Sequence, residues 1–211
     1  MTTQAHQYDN IILDGASLDK AERAIIFVHG RGDSGSGMQQ MAQQIVKDDK
    51  TALVFPKATN ATWYPYSFME NWEVNQPWLD SALELLGSIV TELNQNNIPN
   101  DKIFFLGFSQ GACLSLEYVS RNAQKYAGIM VLSGGLIGPR IEKSHYKGDF
   151  AGTEILIGCS DVDFHIPVQR VHDSADVAEE LGAKVDKRIY PGMGHLINDD
   201  EFERIIEMIN D

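Results

Sequence analysis

Short apolar runs alternate along the chain with segments whose apolar residues recur every three to four positions. The runs are Ala24–Val28, Ala52–Phe55, Lys102–Leu106, Gly128–Leu132, Glu154–Ile157 and Val185–Tyr190. Their near-continuous hydrophobicity predicts strands covered on both faces, as in a parallel sheet, with Ile11–Leu13 as a candidate edge strand. Between them, Met38, Met41, Ala42, Ile45 and Val46 share one helical face. Pro77 opens a longer stripe through Leu79, Ala82, Leu83, Leu86, Ile89, Val90 and Leu93. Ala112, Leu116 and Val119 form a third, and Val171, Ala175, Ala178 and Leu181 a fourth that Gly182 stops. Asn198 with Glu201 three positions on reads as a capping box ahead of Phe202, Ile205, Ile206 and Ile209.

Strand–helix alternation from end to end predicts an α/β fold, a mainly parallel sheet with helices on both faces. No linker, repeat or low-complexity tract interrupts it, so residues 1–211 read as one domain with too little chain left for a separate cap. The longest irregular stretches are Lys57–Asn75 and Gly134–Thr153.

Composition narrows the class of partner. With 17 Lys and Arg against 30 Asp and Glu, the net charge is −13. Such a surface repels phosphate backbones and anionic membranes, so no nucleic acid is expected. No apolar run approaches the ~20 residues that span a bilayer, so stable membrane insertion is not expected either. Met1–Asn10 is polar and lacks the apolar stretch of a signal peptide, which predicts a cytoplasmic protein. The two cysteines, Cys113 and Cys159, are too few for a disulfide framework and read as small core residues.

The chemistry concentrates in Gly107-Phe108-Ser109-Gln110-Gly111, which follows one strand pattern and precedes a helical one. That is the context of a nucleophile elbow, in which small flanking residues let the chain turn sharply and lift the serine hydroxyl to the sheet's carboxyl edge. The expected base is His195, on the loop between the last strand and the last helix. His29 ends a strand and belongs to a glycine-rich motif, His165 reads as a rim histidine, His145 and His172 as surface residues, and His6 lies near the terminus. The acid should follow the penultimate strand, where Asp161 and Asp163 compete. Asp163 is preferred, because it keeps a fixed offset to Pro167, which opens the next helix. The developing oxyanion needs donors, and the backbone N–H groups of Gln110 and of Arg31, in His29-Gly30-Arg31-Gly32-Asp33-Ser34-Gly35, are the candidates.

These motifs, together with Pro191-Gly192-Met193-Gly194-His195, resemble the phospholipase/carboxylesterase family of α/β-hydrolases, which includes the acyl-protein thioesterases. The resemblance runs from about residue 20 to the end. It implies an α/β-hydrolase fold, a Ser109–Asp163–His195 triad, an oxyanion hole from Arg31 and Gln110, no cofactor and no metal, and a small-molecule ester or thioester as substrate. The family's Asp-Pro-x-x-Pro pattern appears here as Asp163-Phe164-His165-Ile166-Pro167, with Phe164 in place of the first proline. Trp63, Tyr64, Phe68 and Met69, in an aromatic loop after a strand, are candidates to wall an acyl pocket. A lysophospholipase or protein deacylase for long acyl chains is the second enzymatic reading, and a non-catalytic binding protein on the same fold the third. No histidine or cysteine pair stands at metal-ligand spacing near the proposed site. Ester hydrolysis is therefore expected to survive EDTA; loss on chelation with recovery on adding a divalent ion contradicts this.

Overall fold

The computed structural model describes residues 5–210, so the first four residues of the polar Met1–Asn10 segment, and Asp211, lie outside it. Seven strands form one sheet: β1 (Ile11–Gly15), β2 (Arg23–Val28), β3 (Thr51–Pro56), β4 (Ile103–Phe108), β5 (Gly128–Leu132), β6 (Glu154–Ser160) and β7 (Lys184–Tyr190). Their spatial order is β1-β3-β2-β4-β5-β6-β7. Among the described strands only β1 is antiparallel, pairing with β3 at one edge. Helices α1 (Ser36–Ile45) and α5 (Asp199–Asn210) cover one face; α2 (Trp78–Gln95), α3 (Gln110–Arg121) and α4 (Val168–Glu180) cover the other. This is the α/β-hydrolase architecture, a mainly parallel sheet with helices on both faces. None of the helices in the described residues is long and apolar enough to cross a membrane.

Three elements differ from their sequence patterns. β7 was expected to be buried on both faces, yet it is half-exposed along most of its length. It is the parallel edge strand, and its outer positions are covered by charge pairing instead: Arg188 binds Asp186 and Asp200, and Arg204 binds Asp186. α3 shows an apolar stripe in sequence but is buried on every side from Gln110 to Ser120, Glu117 included. It runs through the middle of the domain, where even its polar face meets protein. β6 continues past Gly158 to Ser160, because its ladder with β7 extends to the Ser160–Tyr190 pair.

The capping box forms as expected: the Glu201 amide donates to Asn198 Oδ1 at 2.8 Å, and the Asn198 amide to Glu201 Oε2 at 3.0 Å.

Two glycines make the central crossing possible. A Cβ on Gly111 would overlap the carbonyl oxygen of Val28 and stand 2.5 Å from that of His29. On Gly107 it would stand 2.5 Å from the Gly111 oxygen and 2.7 Å from Ala112 Cα. Backbone therefore lies directly on backbone where α3 leaves the sheet, and neither neighbour is a side chain that can swing away. Gly87, within α2, has only ordinary contact with Tyr118 at 3.7 Å. Gly111→Ala is expected to destabilise by about 1–3 kcal/mol or more, whereas Gly87→Ala should be neutral or stabilising by up to ~1 kcal/mol from helix propensity. Urea unfolding midpoints of the two variants check this ordering.

Candidate active site

β4 ends at Phe108 and α3 begins at Gln110, so Ser109 alone makes the turn between them. Its backbone sits at φ 54°, ψ −120°, a region that L-residues rarely enter. The conformation is held from both sides: the Ser109 amide donates to the Leu132 carbonyl at 2.9 Å, and its carbonyl accepts from the Cys113 amide at 3.0 Å.

The loop between β7 and α5 brings His195 over this turn. Its Nε2 lies 2.8 Å from Ser109 Oγ, and its Nδ1 lies 2.7 Å from Asp163 Oδ2. The other carboxylate oxygen, Oδ1, accepts the amides of His165 at 2.8 Å and Ile166 at 3.1 Å. Burial pushes the Asp163 carboxyl up, but the hydrogen bonds from His195 and the two amides outweigh it and hold the group below its usual value. An ionised acceptor at this point assigns the proton to Nδ1 and leaves the Nε2 lone pair facing the serine hydroxyl. The Cys159 thiol lies 3.8 Å from the same Oδ2. Burial first, and the carboxylate second, push that thiol up to about 12, so it stays an S–H donor.

Asp161 stands apart from this chain of bonds. It is exposed, and its Oδ1 accepts the Gly192 amide at 2.8 Å. Because β6 runs on to Ser160, Asp161 is the first residue beyond the strand and meets the chain as it leaves β7. Beside it, Ser160 Oγ accepts the amides of Gly194 at 3.0 Å and Val162 at 3.2 Å. Ser160 and Asp161 thus hold the turn that carries His195. The sequence offered no sign of this role for Ser160, since a serine at a strand end is ordinary.

The main-chain amides of Arg31 and Gln110 donate to no other group among the described residues. Gln110 opens α3, where amides have no intrahelical partner and the helix dipole favours negative charge. The side chains of both residues fasten the loop that follows β3. Arg31 donates to the carbonyls of Tyr64, Pro65 and Tyr66 at 2.8–2.9 Å. Gln110 Nε2 donates to the Tyr64 carbonyl at 2.8 Å, and its Oε1 accepts the Trp63 amide at 2.9 Å.

A cavity of about 720 Å³ opens at Ser109 and His195, within the usual range for ligand pockets of roughly 300–1,000 Å³. Tyr64, Phe68, Cys113 and Ile166 line it from the α3 side of the sheet, and Met38, Met41, Phe108 and Ile197 from the α1 side. Of the four loop residues expected to wall it, Tyr64 and Phe68 do. Trp63 and Met69 do not. Trp63 is fully buried, its indole N–H donating to the His29 carbonyl at 2.8 Å and its ring packed between His6 and His29. Met69 packs against the main core instead. The reason is local geometry: the Gln110 side chain pins the backbone at Trp63 and Tyr64, and that turns Trp63 inward. Met38 and Met41 were legible only as a helical stripe; that they also reach the cavity depends on where α1 docks. Among the described residues no cluster of three His, Cys, Asp or Glu side chains is placed to hold a metal ion.

The family model for phospholipases and carboxylesterases matches residues 15–211. The chain belongs to the phospholipase/carboxylesterase family. It is thereby a hydrolase of the carboxylesterase and thioesterase class. A crystal structure of a phospholipase/carboxylesterase from Dyadobacter fermentans is 43% identical, superimposes with a TM-score of 0.93 and covers 100% of this chain and 99% of its own. Acyl-protein thioesterase 1 of Debaryomyces hansenii is 31% identical across 93% of this chain and 94% of that protein. Its counterpart in Saccharomyces cerevisiae is 31% identical across 92% and 94%.

One titratable group beside the site belongs to the frame. Glu201, in the first turn of α5, is fully buried, and its Oε1 has no hydrogen-bond partner. That oxygen rests against Gly158, where a Cβ would collide with it. Burial pushes the carboxyl up to about 7, helped by the charge of Asp200 and opposed by the Asn198 amide and Arg188. The folded protein then holds this proton more tightly than the unfolded chain, whose value is near 4.5. The contribution to stability is present below that lower value and is lost as pH rises through about 7. Glu201→Gln keeps the capping acceptor and removes the charge. Its melting temperature is expected to fall less between pH 5 and 8 than that of the wild type; parallel pH profiles contradict the assignment.

Proposed function

We propose that this chain is a serine esterase that hydrolyses carboxylic esters or thioesters through an acyl-enzyme on Ser109, with His195 as base and Asp163 as the orienting acid. The observation that carries the reading is the unbroken run of hydrogen bonds from Ser109 Oγ through both ring nitrogens of His195 to Asp163. As Oγ attacks the acyl carbon, Nε2 takes its proton, and Asp163 stabilises the imidazolium that forms. The carbonyl oxygen becomes an oxyanion facing the amides of Arg31 and Gln110. The C–O or C–S bond then breaks, and Nε2 returns the proton to the leaving oxygen or sulfur. Water repeats the sequence on the acyl-enzyme, releasing the acid and restoring Ser109.

The apolar walls suit an acyl chain, and relatives named acyl-protein thioesterase support the second reading, a deacylase acting on long acyl chains. Rates across ester and thioester chain lengths separate the two. A binding protein without catalysis is distinguished by a fluorophosphonate probe, which labels only an activated serine. We place the enzyme in the cytoplasm, where its two unpaired cysteines remain reduced.

Ser109→Ala and His195→Ala are each expected to cost at least about 10⁴-fold in turnover, and Ser109→Ala to abolish fluorophosphonate labelling, with unchanged circular dichroism. Asp163→Asn should cost about 10⁴-fold, and Asp161→Asn and His165→Ala far less. Kinetics of all five variants on one ester check the ranking. Ser109→Ala within tenfold of wild type, or Asp161→Asn worse than Asp163→Asn, overturns the corresponding assignment.

A further inference from the structure

Phe164 is 79% exposed, the most exposed of the large apolar side chains in the described residues. It belongs to neither hydrophobic core, so folding gains little from a phenyl ring at this position. Its surroundings are specific, however. The Phe164 and His165 ring centroids lie 4.3 Å apart, and the His165 and His195 centroids 4.8 Å apart and nearly perpendicular, at 72°. Phe164 itself stands 6.1 Å from the His195 ring. His165 lines the cavity. Three rings therefore form a continuous aromatic wall that begins at the catalytic imidazole and ends in solvent. The wall is anchored from below: the amides of His165 and Ile166 both donate to Asp163 Oδ1, and Ile166 is buried. One carboxylate thus orients the imidazole through Oδ2 and fixes the backbone of the wall through Oδ1.

The geometry of acyl transfer says what this wall faces. With the carbonyl oxygen at the amides of Arg31 and Gln110, the departing oxygen or sulfur must come within about 2.6–3.2 Å of His195 Nε2 to receive its proton. The group attached to that atom is then beside His195, and the cavity-lining ring next to His195 is His165, which in turn adjoins Phe164. The rest of the cavity, lined by residues such as Tyr64, Phe68 and Cys113, is left for the acyl chain.

We propose that Phe164 and His165 form the binding site for the leaving group, and that this site favours alcohols or thiols carrying an aromatic or other planar unsaturated group. The proposal rests on the Ser109–His195–Asp163 reading. An aromatic leaving group meets ring faces and edges at the separations where such pairs attract, worth about two- to tenfold beyond area burial alone. A flexible alkyl group of similar length gains only the burial. No new bond-making step is required: the Oγ–acyl bond forms, the bond from acyl carbon to the leaving atom breaks, and the serine proton travels through Nε2 to that atom.

The test varies the two halves of the substrate separately. Values of kcat/KM are measured for benzyl acetate, butyl acetate and benzyl octanoate with the wild type, Phe164→Ala and Phe164→Trp. Because the side chain is exposed, both variants should fold with unchanged melting temperature. The expected result is a fall of about two- to tenfold in the benzyl-to-butyl ratio for Phe164→Ala, recovery of the ratio in Phe164→Trp, and an unaltered acetate-to-octanoate ratio in both. A benzyl-to-butyl ratio that does not move overturns the proposal, as does a change that follows acyl length instead, which would place the acyl chain on this wall. Ser109→Ala is run on all three esters: hydrolysis that persists there overturns the underlying triad reading as well, and so separates the two failures.

Discussion

Where α3 leaves the sheet, backbone packs on backbone. The first turn of the helix presses on the carbonyls of Val28 and His29 at the end of β2, and the contact closes only because position 111 has no side chain. This approach forces the chain through the turn at Ser109 with its unusual φ and ψ. It also brings the amide of Gln110 alongside the glycine-rich loop that carries Arg31. The turn at Ser109 and the placement of the Gln110 amide are thus products of one packing constraint. The strain at Ser109 is offset by the ladder on either side, since β2, β4 and β5 run parallel and almost wholly buried beneath it.

Buried polar side chains then hold the irregular segments around that centre. His29 is neutral, because burial lowers its pKa more than its bond to Gly30 raises it. It donates to the Gly30 carbonyl and accepts the Ala58 amide. His6 does the same for the Trp63 carbonyl and the Thr59 amide. Two histidines far apart in sequence therefore grip the two consecutive amides that lead into the aromatic loop. In the Gly134–Thr153 stretch, Glu117 accepts the Ile137 amide and the Tyr146 hydroxyl and is paired with Arg121. Arg170 donates to the carbonyls of Leu136, Gly138 and Pro139 and lies over the Phe68 ring. Buried charges are costly unless satisfied in this way. Satisfied, they hold long, largely irregular segments in place around the sheet.

The histidine arrives by a different route. β6 and β7 pair over their full lengths, so the loops that leave them start side by side. Ser160 and Asp161 bind the amides of Gly194 and Gly192, which sets the height of His195 above Ser109. The segment that leaves β6 therefore acts twice, through Asp163 on the imidazole and through Ser160 and Asp161 on the backbone that carries it.

Much of this was written in local pattern. Strand order in sequence, helix stripes, the Asn198–Glu201 cap and the small-residue context of Ser109 are short-range properties, set by periodicity, backbone freedom and capping chemistry. The offset from Asp163 to Pro167 belongs with them, because a helix start fixes a loop's end. What local pattern could not decide depended on neighbours distant in the chain. Trp63 turns inward because Gln110 pins its amide, and α3 is buried all round because other elements close over its polar face. β7 is half-exposed because no strand among the described residues pairs beyond it. Asp161 grips Gly192 because the β6–β7 ladder runs three residues further, from Ile157 to Ser160, than hydrophobicity alone indicated. Hydrophobic pattern tells which residues prefer to leave water; which protein atoms they then meet is decided only when the whole sheet has assembled.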